Sequence, residues 1–267
     1  MDRVLHTFAV CAYGDSPYLE QCIRSLTGQT VRSEIIICTA TPSDYIRRIA
    51  EKYGISLCVR DGEPGIREDW QYAWEKSGGT LVTIAHQDDI YRRTYTEELI
   101  RAYGKYPDLS LFASDYMTIK MKNGKAVDDT FNAVWLVKKI LRLPLRLQLI
   151  SDRTWLKLSG LVFGNSICCP TCTYNKALIG DRKMFPSEMK FALDWDNLVD
   201  LSSAAGRFVI TEKPLLAYRV HDGAATFRSM QDDGRNREEE AMFRKFWPES
   251  IALFLMKLYK KAGNEYK

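Results

Sequence analysis

Long apolar runs are missing from this 267-residue chain. No window of about 18 consecutive apolar residues occurs, which argues against a membrane-spanning helix. The apolar stretch near the N-terminus is short and has no small-residue cleavage site, so it reads as a core strand rather than a signal peptide. Charge of one sign is also scarce: 38 Lys and Arg against 34 Asp and Glu leave a formal net charge of +4. A dedicated nucleic-acid binder usually carries a larger basic excess, so no nucleic-acid partner is expected. No G-x-G-x-x-G follows the first strand pattern, which disfavours a Rossmann dehydrogenase. A P-loop, a G-x-S-x-G nucleophile elbow and an H-E-x-x-H zinc motif are absent too. No Asn-x-Ser/Thr acceptor site occurs. The seven cysteines form no disulfide-like framework. Cys38 and Cys58 sit in apolar runs and read as buried thiols. Cys168, Cys169 and Cys172 contain one C-x-x-C, but no second pair completes a metal site. A cytoplasmic protein is expected.

What is present is a folded composition, 46% hydrophobic and 12% aromatic. The first 117 residues alternate strand and helix patterns, the rhythm of a parallel α/β sheet. Strands are expected at 8–12, 35–38, 55–59, 81–85 and 109–112. Ser16-Pro17 reads as an N-cap and first-turn proline for a helix burying Leu19, Ile23 and Leu26. Pro42-Ser43 opens a second helix that Gly54 ends. A third, at 67–77, turns Trp70, Ala73 and Trp74 inward. Thr94 and Glu97 form a capping-box pattern for a fourth. Beyond Tyr116 the rhythm changes. Lys122-Asn123-Gly124-Lys125 looks like a hairpin turn. A basic amphipathic helix is expected at 131–143, interrupted by Pro144. Further strands are expected at 168–174, 207–210 and 215–220, and a helix at 191–203. The last helix carries Ile251, Phe254, Leu255, Leu258 and Tyr259 on one face. The division expected is 1–117 as a donor-binding half, 118–249 as an acceptor-binding and catalytic half, and 250–267 as a C-terminal amphipathic helix and tail.

Three constellations could carry chemistry. His86-Gln87-Asp88-Asp89 directly follows a buried strand. Ligands of open α/β sheets bind beyond the carboxyl ends of strands. Adjacent carboxylates there suit Mg²⁺ or Mn²⁺, which also bind substrate phosphates. The same two acids would also serve as helix-capping residues. Leu193-Asp194-Trp195-Asp196 lies near a helix start. A carboxylate beside a Trp can be desolvated toward a general-base pKa, or one of the acids can simply cap. Tyr218-Arg219-Val220-His221-Asp222-Gly223 ends a strand. His221, one of only three histidines, fits a metal or phosphate contact as well as a structural hydrogen bond.

Together these residues resemble family 2 glycosyltransferases of the GT-A fold. The opening Val10-Cys11-Ala12-Tyr13-Gly14-Asp15 with Tyr18-Leu19, Ser25-Leu26 and Gln29-Thr30 is similar to the family's first strand and helix. The stretch from Gly78-Gly79-Thr80 to Asp89 resembles its metal-binding segment, and Asp194-Trp195 its late acidic motif. Arg219-Val220-His221 with Thr226, Gly164-Asn165 before Pro170, and Arg237, Glu239, Phe243 and Phe246-Trp247-Pro248 resemble a subgroup that builds bacterial polysaccharides.

The resemblance implies a single compact α/β domain with a mostly parallel, Rossmann-like sheet. It implies transfer, with inversion, of a sugar from a nucleoside diphosphate donor (UDP by default) to a glycan or lipid-linked acceptor. Mn²⁺ or Mg²⁺ would be held by Asp88 and His221. Cys11, Ala12, Tyr13, Asp15, Thr39, Arg67, Gln87, Asp88 and Asp89 would bind the donor. Asn165, Trp195 and Asp196 would bind the acceptor, and Asp194 would be the general base. Two positions depart from the pattern. His86 stands where an acid usually begins the metal motif, and Thr39 follows the second strand where an acid usually reads the base. A non-catalytic subunit of a polysaccharide assembly complex is therefore an alternative. A sugar-phosphate nucleotidyltransferase is another, although Ala12-Tyr13-Gly14-Asp15 lacks its Gly-rich loop. Oligomers or complexes with other biosynthetic subunits fit either reading.

The charge is unevenly spread. Residues 131–160 carry a net +5 and residues 250–267 a net +3, leaving the remainder at −4. Lys138, Arg142 and Arg146 recur every four residues beside Val137, Leu141 and Leu145. That spacing predicts a basic face lying on an anionic membrane surface, giving a peripheral position on the inner side of the cell membrane. A solvated or packing helix would show the same spacing.

Overall fold

The computed structural model describes residues 4–122, 125–221 and 233–263. Strand β1, His6–Cys11, lies between two parallel neighbours, β2 (Glu34–Thr39) and β4 (Leu81–His86). With both faces covered, nearly every residue of β1 and β4 is buried, which explains their continuous apolar runs. β3 (Ser56–Val59) extends the parallel set beyond β2. The sheet continues from β4 through β8 (Thr173–Asn175), β6 (Leu109–Lys122), β9 (Arg207–Val220) and the short β5 (Ile90–Tyr91). β7 (Lys125–Asp128) pairs antiparallel with β6. The fold is α/β, with one mixed, mostly parallel sheet flanked by helices.

Alternate side chains of each strand feed two cores. Phe8 and Val10 pack with helices α1 (Leu19–Thr27), α2 (Asp44–Tyr53) and α4 (Tyr95–Lys105). Ala9 faces the other way, toward α3 (Ile66–Lys76). That second core also takes α8 (Leu193–Ser202), α9 (Asp233–Arg244) and α10 (Glu249–Gly263). Between β7 and β8 the chain forms α5 (Ala133–Leu141), two 3₁₀ turns (Leu143–Arg146, Gln148–Ile150) and α6 (Thr154–Ser159). The short α7 (Lys176–Ile179) follows β8.

Several local expectations hold, and several are corrected. Ser43 caps α2 by accepting from Ile46 N–H at 3.2 Å, and Gly54 ends that helix at φ 61°. The Thr94–Glu97 capping box does not form. The Gln29 amide oxygen instead accepts from Thr96 N–H at 3.0 Å, while Glu97 is engaged by Arg101 and Thr30. Ser16 is displaced from the helix start, which falls at Leu19 after Tyr18. The expected 168–174 strand is a 3₁₀ turn (Cys169–Thr171) followed by the three residues of β8. Pro170, with no N–H to give, favours the turn. Conversely, 207–210 and 215–220 join into one 14-residue strand. Pro214 is accommodated where the β6–β9 register shifts beside Asp115. On α10 the buried positions include Ala252 and Met256, while Ile251, Phe254 and Leu258 are 41%, 60% and 52% exposed, against the expected face. Asn123, Gly124, Asp222, Gly223, Thr226, Lys261 and Lys267 lie outside the described residues or have undescribed side chains.

Candidate active site

Parallel pairing brings the carboxyl ends of β1, β2, β3 and β4 to one edge of the sheet. His86-Gln87-Asp88-Asp89 turns across that edge, and each residue is held differently. Gln87 exchanges two 3.0 Å hydrogen bonds with the Tyr13 backbone, fastening this turn to the end of β1. Asp88 accepts the Ser16 hydroxyl at 2.8 Å, and its second oxygen lies 3.2 Å from His221 Nε2 at the end of β9. Asp89 is 2% exposed. Its Oδ1 accepts the Arg219 N–H at 3.0 Å, and its Oδ2 is buried with no hydrogen-bond partner among the described residues. Burial pushes the Asp89 carboxyl up to about 8. The His86 ring stacks on Trp70 at 5.1 Å with its Nδ1 4.0 Å from Asp89 Oδ2, and burial lowers its pKa to about 4.

This donor set suits a hard divalent cation. Two neighbouring ligands of an octahedral ion with bonds of about 2.0–2.1 Å lie about 3 Å apart. The Asp88–His221 separation matches that spacing. A cation near the buried Asp89 Oδ2 would favour its ionised form over the protonated one that burial favours. Among the described residues no group of three protein ligands forms. That agrees with an ion such as Mg²⁺, which takes one or two carboxylates and fills its shell with substrate phosphates and water.

Sequence reasoning assigned Arg219 no role, although it joins the site together. Its guanidinium donates to the Asp88 carbonyl at 2.9 Å and to Gln21 at 2.7 Å, and lies 4.3 Å from the centre of the Tyr18 ring. One side chain on β9 thereby ties the acidic turn to α1. The Tyr18 ring also meets His221 edge-on at 4.8 Å.

Asp194 sits at the start of α8. Asn165 Nδ2 donates to its Oδ2 at 2.9 Å, and Asn165 is itself fixed by accepting from Ile167 N–H. Burial raises the Asp194 carboxyl above its ordinary range, and Lys138 and Arg235 act against that rise. Cys168 and Cys169 lie within electrostatic reach of both Asp89 and Asp194.

The profile of glycosyl transferase family 2 matches residues 7–159, more than half of the chain. The chain belongs to glycosyl transferase family 2. No curated protein sequence matches it. Similar folds include S. aureus TarS 1–349 in complex with UDP-GlcNAc, with TM-score 0.63 and 16% identity over 94% of this chain and 70% of that one. A mannosyltransferase, PcManGT from Pyrobaculum calidifontis, in complex with GDP-Man and Mn²⁺ gives TM-score 0.64 and 13% identity over 99% and 74%. Glucosyl-3-phosphoglycerate synthase from Mycobacterium tuberculosis with Mn²⁺, UDP and phosphoglyceric acid gives 0.59 and 14% over 92% and 80%. At these identities the likeness is one of fold.

The other expected site residues of this family member divide by placement. Cys11 and Thr39 end β1 and β2. Cys11 is partly buried with its thiol 3.9 Å from the Asp69 carbonyl, and Ala12 is buried beside it. The buried Thr39 hydroxyl accepts from Thr41 N–H. Asp15 is tied to α2 by the Ser43 hydroxyl at 2.6 Å. Arg67, at the start of α3, pairs with Glu68 and, at 2.8 Å, with the exposed Glu188. Two residues face elsewhere. Trp195 is 2% exposed, donates its indole N–H to the Leu161 carbonyl at 3.0 Å, and packs against Phe243. Trp195 is thus part of the core, and Asp196 is held in an ion pair with Lys245, directly after α9.

The basic helix is oriented opposite to its expected face. Arg142 is 6% exposed and bonds Asp115 at 2.6 Å, with Lys139 at 3.9 Å from the same carboxylate. Arg146 pairs with Glu212. Lys157 is fully buried and donates to the carbonyls of Ala204 and Gly206. Lys138 turns inward to Tyr116, its ammonium 5.9 Å from the ring centre. Leu136, Val137, Ile140 and Leu143 face outward instead, each more than 40% exposed.

Proposed function

We propose that this family member transfers a sugar, with inversion, from a nucleoside diphosphate donor to a hydroxyl of a glycan or lipid-linked acceptor in cell-surface polysaccharide assembly. The observation that carries the reading is the pairing of Asp88 with His221 at the carboxyl edge of the parallel strands. Solved neighbours in complex with UDP-GlcNAc, GDP-Man and Mn²⁺ support the donor class and the metal, with a UDP sugar as the default. Residues 1–117 form the donor half, 118–249 the acceptor half, and 250–267 the C-terminal helix and tail.

Asp88 and His221 would hold Mn²⁺ or Mg²⁺, which would supply positive charge for the departing diphosphate. Cys11, Ala12, Tyr13, Asp15, Thr39, Arg67, Gln87 and Asp89 border the donor. Asp194, held by Asn165, accepts the proton of the acceptor hydroxyl. The new bond forms from that oxygen to the anomeric carbon. The bond to the diphosphate oxygen breaks on the opposite face, and its electron pair leaves with the nucleoside diphosphate.

The test is a thermal-shift screen of nucleoside diphosphates with and without Mn²⁺, followed by transfer assays. Asp88→Ala should lose metal-dependent donor binding. Donor binding that stays equally metal-dependent in this variant would move the metal elsewhere. A wild-type chain that never turns over any nucleotide sugar would favour the non-catalytic reading.

We also propose that the lipid surface is met through the outer, apolar side of α5. Phe254 and Leu258 of α10 add apolar groups, with exposed Lys257 and Lys260 beside them. Co-sedimentation with anionic vesicles should then persist in high salt. Binding that salt abolishes would restore a purely electrostatic contact.

A further inference from the structure

We propose that Trp70 and Phe185 form an aromatic bridge that sets the position of the acidic turn relative to Asp194. The inference rests on the reading that this turn holds the metal and that Asp194 is the base. One end of the bridge is His86, the first residue of the turn. The His86 carbonyl accepts from the Asp89 N–H at 3.3 Å and from the Cys22 thiol at 3.4 Å, which fixes its backbone. Its ring is fixed separately. Trp70 stacks on it with the two planes 24° apart, and Cys169 Sγ lies 3.9 Å from Nε2. Trp70 stands on α3, whose first turn reaches the end of β1 where the Cys11 thiol meets the Asp69 carbonyl. The Trp70 ring in turn meets Phe185 edge-on at 5.2 Å. The Phe185 N–H donates to Asn197 Oδ1 at 2.9 Å, and Asn197 lies on α8, the helix that carries Asp194 in its first turn.

Two features set these contacts apart from ordinary core packing. Phe185 holds φ +51°, and among the described residues no other non-glycine residue takes a positive φ. A bulky side chain stays in that region only where its surroundings hold it there, and such residues gather at functional sites. The segment after Phe185 is also tied on both sides. Arg67 of α3 pairs with Glu188 at 2.8 Å. Glu238 of α9 accepts from the N–H groups of Lys190, Phe191 and Ala192 at 2.9, 2.7 and 3.1 Å. Residues 185–192 thereby brace α3 against the start of α8. An in-line displacement needs its metal and its base at a fixed separation, because a small misplacement of either lowers the rate. Trp70 and Phe185 are positioning residues in this sense. They act through His86 at one end and Asn197 at the other.

The experiment measures UDP affinity by calorimetry with and without Mn²⁺, beside urea unfolding of the metal-free protein. Trp70→Leu should lose about three- to tenfold in Mn²⁺-dependent UDP affinity, and Trp70→Phe, which keeps a ring against His86, should recover it. Phe185→Leu, in the other half of the chain, should weaken the same affinity. The double variant should bind no more weakly than Trp70→Leu alone, because one broken link already uncouples the two ends. If Trp70→Leu does not fold, His86→Ala cuts the stack from its partly exposed side, and His86→Phe restores it. Packing alone would lower the urea midpoints and leave the Mn²⁺-dependent affinity at its wild-type value, which would overturn the bridge. Additive losses in the double variant would overturn it too. A wild-type chain that binds UDP no more tightly with Mn²⁺ would sink the metal reading and the bridge with it. Wild-type metal dependence beside unaltered variants sinks the bridge alone.

Discussion

Strand β1 and helix α5 place their apolar residues in opposite ways. In β1, Phe8, Ala9 and Val10 are fully buried, and the polar His6 and Thr7 are buried among them with hydrogen-bond partners. In α5 the apolar Leu136, Val137 and Ile140 face outward, while Lys138 and Arg142 face inward. A strand inside a sheet meets one environment on both faces. A helix packed over a buried carboxylate meets polar chemistry on its inner side, so its exposed apolar residues mark the outside. Hydrophobic periodicity therefore locates the core only where no site intervenes.

The sharpest test of the division concerns the two acidic positions. Asp194→Asn should lower transfer by about 10²–10⁴-fold while leaving UDP affinity in the presence of Mn²⁺ close to wild type. Transfer assays and calorimetry on one preparation measure both. Unchanged transfer would remove Asp194 as the base. Next in size is the inward-facing pair. Arg142→Met should destabilise the fold by about 1–3 kcal/mol, because the buried Asp115 loses its 2.6 Å partner and keeps only Lys139 at 3.9 Å and the Tyr116 N–H. Arg153→Met, at a residue 68% exposed, should change urea stability by no more than about 0.5 kcal/mol. Equal effects would mean that α5 does not differ from an ordinary surface.

The pH dependence of transfer follows from the same arrangement. Burial raises the Asp194 pKa, so transfer should fall on acidification before an ordinary carboxylate would protonate. Lys138 favours the ionised carboxylate. Removing its charge in Lys138→Met should therefore move the acid limb of the kcat/KM profile to higher pH. A shift to lower pH would contradict the placement. The smallest effect is expected at Ile140→Ser: a stability change within about 0.5 kcal/mol, with weakened vesicle binding. A large loss of stability there would show the outer face to be covered.

The strands of the first 117 residues were legible because most are continuous runs bounded by ordinary turn residues. Ser43 and Gly54 acted as local chemistry predicts. The failures were non-local. Nothing near Thr94 reveals that Gln29, 67 residues from Thr96, supplies the helix cap. The Arg219 clamp joins residues about 130 and 198 positions apart, which no spacing rule detects. Trp195 beside Asp194 looked like a site aromatic. Successive helical residues point in different directions, and Trp195 faces the core. The site itself was half legible: the acidic turn and His221 were found as separate motifs, and only the fold brings them within 3.2 Å.

Gly164 adopts φ +130°, and a side chain there would meet the Tyr259 ring of α10 at 2.9 Å. The next residue, Asn165, holds Asp194. Helix α10 thus packs against the residue that precedes the carboxylate's anchor. The seating of Asp194 is thereby coupled to a helix more than fifty residues away in sequence, and loosening α10 would free the segment that carries its 2.9 Å partner.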